Sequence, residues 1–388
     1  MNSNKEIQQS QTEQQEALKT FNANKIILPT LIGIGVIVIL MIRDFDLKTF
    51  HAIDWGWQML LWIGLAFVMI AIRHYALMVR VRILTGNKLS WWRTFQIVSL
   101  WEFGAAATPS TVGGTAVALF LLTRERISAG ETITVILSTI FMDGLFFLLG
   151  IPLLWFTYGN LLFSPADGGS TINVWLTFFS LGYVLMSVYT VMIFYGLFIN
   201  PQGFKRLIVK ITNFRLLKRW NDKAIQTGED MVVASKNLKS KGLYFWAIGG
   251  LTTLTNWVFR FLVLNFVLLA LVEVSDHLLL FGRQLVIYIL MVLAPTPGGS
   301  GIAEFAFGSF FSDFLQVGSS AKGWQAIAAL LWRLVSYYPF LLIGVLIIPA
   351  WLRRVFSAPT EEEKNTNTTK NTQKNAKTSF NPKGDTAF

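Results

Sequence analysis

Charged side chains interrupt several stretches of sequence that are otherwise apolar and long enough to cross a membrane. Asp143, Arg260 and Arg333 fall near the middle of such stretches, Glu102 and Glu304 fall inside two that Pro and Gly break, and Arg124 follows the end of one of these. A charge at the centre of a membrane helix costs about 2.5–3.5 kcal/mol on insertion scales, so each needs a partner or water. Such residues therefore mark either a binding site or an internal ion pair.

The three arginines suit a lipid phosphate, because the guanidinium fork offers parallel donors to two oxygens. Arg260 shares a stripe with Asn256, one turn earlier, and Asn265, five residues later, which makes one face of its helix polar. We expect Arg260 and Arg333, together with Arg124, to hold the phosphate. The three acids would balance these cations or hold a cationic headgroup.

A structural alternative is that these charges pair with one another and only fix the packing of the helices. Arg283 is a different case, because it lies one turn into its apolar segment. A long side chain near a helix end can reach the membrane surface, so we expect Arg283 to snorkel outward.

Two apolar segments are broken by Pro and Gly. The first, 94–122, contains Pro109, Gly113 and Gly114, and the second, 278–311, contains Pro295, Pro297, Gly298, Gly299 and Gly301. Pro lacks a backbone donor and Gly accepts torsions that other residues do not, so neither segment is predicted to be one straight helix. In lipid, broken backbone is tolerated only where protein or a water-filled cavity surrounds it.

We predict that each broken segment forms a re-entrant helical hairpin. The paired glycines would end half-helices, and the helix N-termini after them would present backbone donors and a partial positive charge to a phosphate. Two plainer interpretations stay open. The first segment is equally consistent with one kinked span, and the glycines with tight packing at a turn.

Composition places the chain among polytopic membrane proteins. It has 388 residues, 53% of them hydrophobic and 14% charged, and a mean hydropathy of +0.51. Such values, spread over long apolar runs, predict an all-α membrane protein with about six full spans besides the two hairpins. These spans are predicted at 26–42, 56–72, 130–158, 173–198, 243–271 and 324–351.

The absence of cysteine excludes disulfides, thiol nucleophiles and thiolate metal sites. The three histidines are scattered at 51, 74 and 277, and no Walker string or Asp-x-Asp pair inside a span is present. We therefore expect neither a metal nor another cofactor. The net charge of +11 follows from membrane topology, so nucleic acid is not an expected partner.

The distribution of Lys and Arg predicts the orientation. Residues 73–93 carry five basic side chains, and 205–241 carry ten Lys/Arg against three Asp/Glu, whereas no Lys or Arg occurs between Arg126 and Lys205. The positive-inside rule places the basic loops and both termini in the cytoplasm of an inner-membrane protein. The 205–241 segment either rests on anionic headgroups, at roughly 1 kcal/mol per basic residue, or is a plain positive-inside loop.

The two broken segments indicate an internal repeat of opposite orientation. Each has Pro, a short spacer and Gly-Gly, and Pro109 and Pro295 lie 186 residues apart. We assign a membrane domain to 26–355. It consists of repeat one at about 56–158, a basic cytoplasmic loop at 200–242 and repeat two at about 243–351. Residues 1–25 and 356–388 are polar and expected to be disordered. Inverted repeats are common in alternating-access carriers. Chance similarity of two Pro-Gly turns is the alternative.

Pro295-Thr-Pro-Gly-Gly-Ser-Gly-Ile-Ala-Glu304, with the earlier Pro109, Gly113-Gly114 and Arg124, resembles the lysylphosphatidylglycerol synthase transmembrane family. These flippase-like proteins are related to the flippase half of MprF. The resemblance covers roughly residues 25–355 and implies an inner-membrane protein that moves a phospholipid or polyprenyl-linked lipid between leaflets. The aminoacyl transferase half of MprF-type proteins has no counterpart in these 388 residues, so the resemblance does not fix the cargo.

Three functions are compatible with these patterns. The first is a flippase-like lipid carrier that uses the two hairpins as opposing halves of one pathway, and so a transporter rather than an enzyme. The second is a membrane-embedded transferase acting on a lipid-linked substrate. The third is a scaffold that binds anionic lipid through 205–241 and transports nothing.

Overall fold

The computed structural model describes residues 51, 55–108, 110–163, 172–214, 218–293, 296, 299, 302–315 and 321–356. Several predicted features lie outside this part of the chain. They are the first span at 26–42, the polar segments 1–25 and 357–388, and Pro109, Pro295, Pro297, Gly298 and Gly301. Glu304 lies in a described helix, but its side chain is outside the description.

The described chain is helical, with no strand in these ranges. The helices are α1 Trp57–Leu84, α2 Trp91–Ala107, α3 Ser110–Arg124, α4 Ala129–Tyr158, α5 Ile172–Phe194, α6 Pro201–Thr212, α7 Asn221–Lys239, α8 Leu243–Leu269, α9 His277–Val292, α10 Ile302–Phe311, α11 Ala321–Ser336 and α12 Tyr338–Phe356. Five helical stretches are long and apolar enough to cross a membrane: Trp57–Leu84, Ala129–Leu162, Trp175–Ile199, Leu243–Leu269 and Gly323–Val355. The protein is therefore an all-α polytopic membrane protein, as predicted.

The first broken segment forms two helices that pack against each other. Ser90 caps α2 by accepting a hydrogen bond from the Arg93 amide, and the chain turns after Ala107. The two helices approach closely: a Cβ placed on Gly114 would lie 2.8 Å from the Ala105 Cβ. At 17 and 15 residues, α2 and α3 are about 26 and 23 Å long, shorter than the roughly 30 Å of a bilayer core.

The prediction that Gly113 and Gly114 end a half-helix is wrong. Both lie inside α3, which begins three residues earlier at Ser110. A Cβ on Gly113 would overlap the Thr108 side chain at 2.1 Å, so these glycines allow the two arms of the hairpin to meet. Tight packing, the alternative interpretation, accounts for them.

The second broken segment also divides into two helices, α9 and α10. Asp276 caps α9 by accepting hydrogen bonds from the Leu278 and Leu279 amides and from the Tyr158 hydroxyl. Burial by itself would raise the pKa of Asp276, but these hydrogen bonds outweigh it and hold the pKa below the usual value. Gly299, at φ +68°, occupies the turn before α10, and its carbonyl accepts the Ala303 amide.

One predicted boundary needs correction. The second span does not end at residue 72, because α1 continues to Leu84 and carries Arg73, Arg80 and Arg82 within the helix. The predicted last span, 324–351, lies within the apolar stretch Gly323–Val355, in which a turn at Tyr337 separates α11 from α12. Tyr337 lies two residues before Pro339, which has no amide proton to continue the helix ladder.

The helices that build the centre are α1, α4, α8, α9 and α11. Trp257 of α8 lies between Phe147 of α4 and Tyr288 of α9, at ring-centroid distances of 4.6 Å and 4.7 Å. On the other side of α8, Val263 and Val267 pack with Ala66 of α1. This aromatic and aliphatic core fixes the rotation of α8 and so the direction in which Arg260 points.

Candidate functional site: an arginine-lined cavity

A cavity of about 40 Å³ lies between α8, α9, α10 and α11. Its polar lining comes from Arg260, Gln284, Tyr288 and Ser336, and the other lining side chains are aliphatic or aromatic. A single water requires about 10–15 Å³ on this measure, so the cavity has room for a few waters. A few polar groups in the lining of an otherwise apolar cavity are typical of a ligand site.

Arg260 is the charged residue of the cavity lining. Its guanidinium carbon lies 5.5 Å from the ring centroids of both Trp257 and Tyr288, within the range of a cation–π contact. Among the described residues, no acid lies within ion-pair distance of it and no hydrogen bond is made by it. The guanidinium can therefore direct its donors at a ligand in the cavity.

Three further charges act on Arg260. They belong to Arg73, Glu102 and Arg333. Glu102 is neutralised by Arg73, whose Nη1 and Nη2 lie 2.6 Å and 2.9 Å from its two carboxylate oxygens. The Glu102 carboxylate is therefore engaged by Arg73 rather than by Arg260.

Arg333 joins this cluster from α11. Its side chain is buried, and its guanidinium carbon lies 5.1 Å from the rings of both Trp332 and Tyr337. Trp332 also lines the cavity. Arg333 and Glu102, two more of the predicted site residues, thus lie close enough to Arg260 to act on its charge, but neither lines the cavity.

Asp143 belongs to a separate ion pair. Its carboxylate accepts hydrogen bonds from Arg80 at 2.6 Å and 3.3 Å and from the Trp257 indole at 2.8 Å, while Arg80 also donates to Thr253. Since these contacts satisfy the carboxylate, Asp143 fits the structural alternative. It still contributes to the site, because its hydrogen bond orients Trp257, on which Arg260 lies.

The sequence reasoning missed Arg73 and Arg80, which it placed in a cytoplasmic loop. They are buried, with exposures of 2% and 3%, and pair with acids from other helices. Their spacing of seven residues puts both on one face of a helix two turns apart. That spacing, together with the apolar pattern that continues to Leu84, was the sequence signal that both arginines lie within a membrane helix.

Arg283 does not snorkel, contrary to the prediction. It is 3% exposed, and its Nη1 donates to both Asp313 oxygens at 2.6 Å and 2.8 Å and to the Phe310 carbonyl at 2.7 Å. Its Nε donates to the Leu161 carbonyl at 3.2 Å. These acceptors hold the guanidinium inside the protein and tie α9 to the ends of α10 and α4.

The remaining predicted ligands lie elsewhere or outside the description. Arg124 ends α3, at the base of the first hairpin, with its guanidinium 5.5 Å from the Phe120 ring. Glu304 follows Ala303, which lines the cavity, so its backbone is next to the site, and its predicted role stays a prediction.

A second polar group extends the site along α8 and α9. Gln284, which lines the cavity, donates to the Asn265 side chain at 3.2 Å, and Asn265 donates to the His277 carbonyl at 3.1 Å. Asn256, one turn before Arg260, is buried, and its Oδ1 accepts no hydrogen bond from the described residues. No three His, Asp or Glu side chains in the described ranges converge as metal ligands.

Comparison with known proteins gives two matches. The sequence profile of the family described as "Lysylphosphatidylglycerol synthase TM region" matches residues 26–344. A curated relative, a "UPF0104 membrane protein" of Archaeoglobus fulgidus, is 23% identical over 271 residues, which cover 68% of this chain and 77% of the relative. The profile match spans most of the chain, from the first predicted span to the middle of α12.

Proposed function

This chain belongs to the lysylphosphatidylglycerol synthase transmembrane family, and on that premise we propose that it moves a phospholipid or lipid-linked headgroup between the leaflets of the membrane. In this proposal Arg260 holds the lipid phosphate during the passage. Arg333 supplies further positive charge, and the Arg73–Glu102 pair fixes the electrostatic balance of the site.

The observation that supports the proposal is the state of Arg260. It faces a cavity and has no acidic partner among the described residues, whereas Arg73, Arg80 and Arg283 each have one. Keeping an unpaired charge inside a membrane protein is costly, so a residue that serves packing alone would be expected to be paired. A phosphate oxygen would complete its hydrogen bonds.

The size of the cavity indicates that passage requires a change of shape. Sites that hold a drug-sized ligand are typically about 300–1,000 Å³, several times the 40 Å³ available here. Two walls of the cavity come from α9 and α10, the arms of the second hairpin, which meet at Gly299. We propose that this hairpin moves to open the cavity, since another wall belongs to the 27-residue helix α8, which is packed against α1.

The test is a lipid-transfer assay with the full chain reconstituted in vesicles. Phospholipid labelled on one leaflet should equilibrate with the other faster than in protein-free vesicles. Formation of a new covalent lipid product would instead support the transferase. If the correctly inserted protein gives neither transfer nor product, the carrier is rejected and the lipid-binding scaffold is the function that remains.

A further inference from the structure

A second basic site lies outside the central cavity, between α6 and α7. A groove of about 320 Å³ is lined by Lys205, Arg206, Val209, Lys210, Asn213 and Ile225. Its volume falls within the roughly 300–1,000 Å³ of typical ligand pockets. The groove therefore has both the size and the charge for a phosphate-bearing ligand.

The folding of α6 fixes the groove in place. Asn200 caps the helix by accepting the Gly203 amide, and Pro201 occupies the first turn. The stem of Lys205 packs so tightly on Gly228 of α7 that a Cβ there would lie 2.8 Å from its Cγ. The Lys205 ammonium group lies 3.0 Å from Glu229, which leaves Arg206 and Lys210 as excess positive charge.

An apolar stripe runs beside the basic groove. Leu207 and Ile211 are 44% and 53% exposed, and their spacing of four residues aligns them on one side of α6. Phe214, two residues past the end of the helix, is 70% exposed. Groove residues Arg206 and Lys210 precede Leu207 and Ile211 by one position, a rotation of about 100° around the helix. The helix thus offers cations on one side and an apolar surface on the adjacent side.

The two candidate spans that flank this groove in the chain indicate that it lies near the membrane surface. The span Trp175–Ile199 ends two residues before α6 begins at Pro201, and α7 ends four residues before the span Leu243–Leu269. A helix with basic and apolar faces at this depth is typical of segments that lie in the membrane interface.

We propose that the groove binds the phosphate of one anionic phospholipid of the adjacent leaflet, with an acyl chain along Leu207, Ile211 and Phe214. Positive charge selects an anionic headgroup, and the apolar stripe selects a lipid over a soluble phosphate. This site shares no residue with the Arg260 cavity, and it stands whether or not the protein transports lipid.

The test uses the full chain in nanodiscs with a photoactivatable phosphatidylglycerol whose reactive group is near the phosphate. Cross-linked peptides are mapped by mass spectrometry. We expect cross-links on 205–214 that fall at least about tenfold when Lys205, Arg206 and Lys210 are all replaced by Gln. The matched control replaces Lys223, Lys236 and Lys239 of α7 by Gln. These three lysines are exposed and lie outside the groove, and their replacement removes the same amount of positive charge.

Three results would overturn the proposal. The first is an equal loss in both triple variants, which would indicate a diffuse positive surface. The second is equal cross-linking by a phosphatidylcholine probe, and the third is no cross-link on 205–214 in the wild type. The single variant Lys210→Glu, at an exposed position, should also lower the yield, which separates lost binding from misfolding of the triple variant.

Discussion

Arginines within the helix bundle serve two different purposes. Arg73, Arg80 and Arg283 lie in ion pairs with acids of other elements, whereas Arg260 lies on aromatic rings beside a cavity. Breaking a buried pair leaves an uncompensated charge, which is strongly destabilising. Removing an arginine without an acidic partner leaves no such charge. Stability measurements can therefore separate the two classes.

Arg283→Gln is expected to destabilise the protein, because it removes the guanidinium donor of the Phe310 carbonyl and leaves Asp313 without its cationic partner. The Asp313 side chain is about one third exposed, so the cost is expected to be about 1–3 kcal/mol rather than that of a fully buried pair. Thermal unfolding in detergent measures it, with the exposed Lys236→Gln as control. Equal midpoints for the two variants would show that the Arg283 pair is not structural.

At the residue scale, the sequence showed which charged residues fall within apolar segments but not which of them form ion pairs. Asp143 and Glu102 were recognised as buried acids, yet their partners Arg80 and Arg73 lie 63 and 29 residues away. Pairing across such separations depends on how helices pack, which local patterns do not contain. The burial of Arg283 was missed for the same reason, because two of its acceptors are backbone carbonyls of other elements.

Among the elements, the first hairpin depends on glycines where its arms meet. Glycine in an exposed helix interior costs about 1 kcal/mol relative to alanine, so its use in α3 needs a compensating contact. Gly114 provides one, since a Cβ there would lie 2.8 Å from the Ala105 Cβ and 3.0 Å from its Cα. The breaks in both hairpins were predictable from Pro and Gly, but the helix boundaries were not.

Gly114→Ala is expected to lower the thermal midpoint, because the arms of the hairpin must separate at a cost of about 1–3 kcal/mol. Gly64→Ala in α1 is the matched control, since nothing lies within 4 Å of the added Cβ and the change should stabilise the helix slightly. Opposite signs for the two substitutions are the expected result. A stabilising Gly114→Ala would show that α2 and α3 are not closely packed.

At the scale of the whole molecule, the inverted repeat depends on how the helices are oriented across the membrane. The all-α membrane fold was predictable from composition and apolar runs. The inverted repeat, in contrast, requires that the two hairpins enter the membrane from opposite sides. That arrangement was inferred from basic loops, and two of the five basic residues of 73–93, Arg73 and Arg80, are now located inside the helix bundle. Lys88 lies beyond the end of α1 and Arg93 in the first turn of α2, and the predicted topology stays a prediction.

Single cysteines can test this topology, because the chain contains none of its own. Lys88→Cys and Lys239→Cys are expected to react with an impermeant thiol reagent only from the cytoplasmic side, and Glu273→Cys only from the outer side. All three positions are exposed. Labelling of Lys239→Cys and Glu273→Cys from the same side would reject opposite orientations for the two ends of α8.

The lipid-transfer rate of Arg260→Gln tests the central claim most directly. Charge-assisted hydrogen bonds contribute about 1.5–3 kcal/mol, so transfer should fall by roughly 10- to 150-fold, while the thermal midpoint stays near that of the wild type. Arg260→Lys should keep part of the activity, and the exposed Arg219→Gln should keep all of it. Normal transfer in Arg260→Gln, or loss of transfer together with loss of stability, would contradict a phosphate-binding role for this arginine.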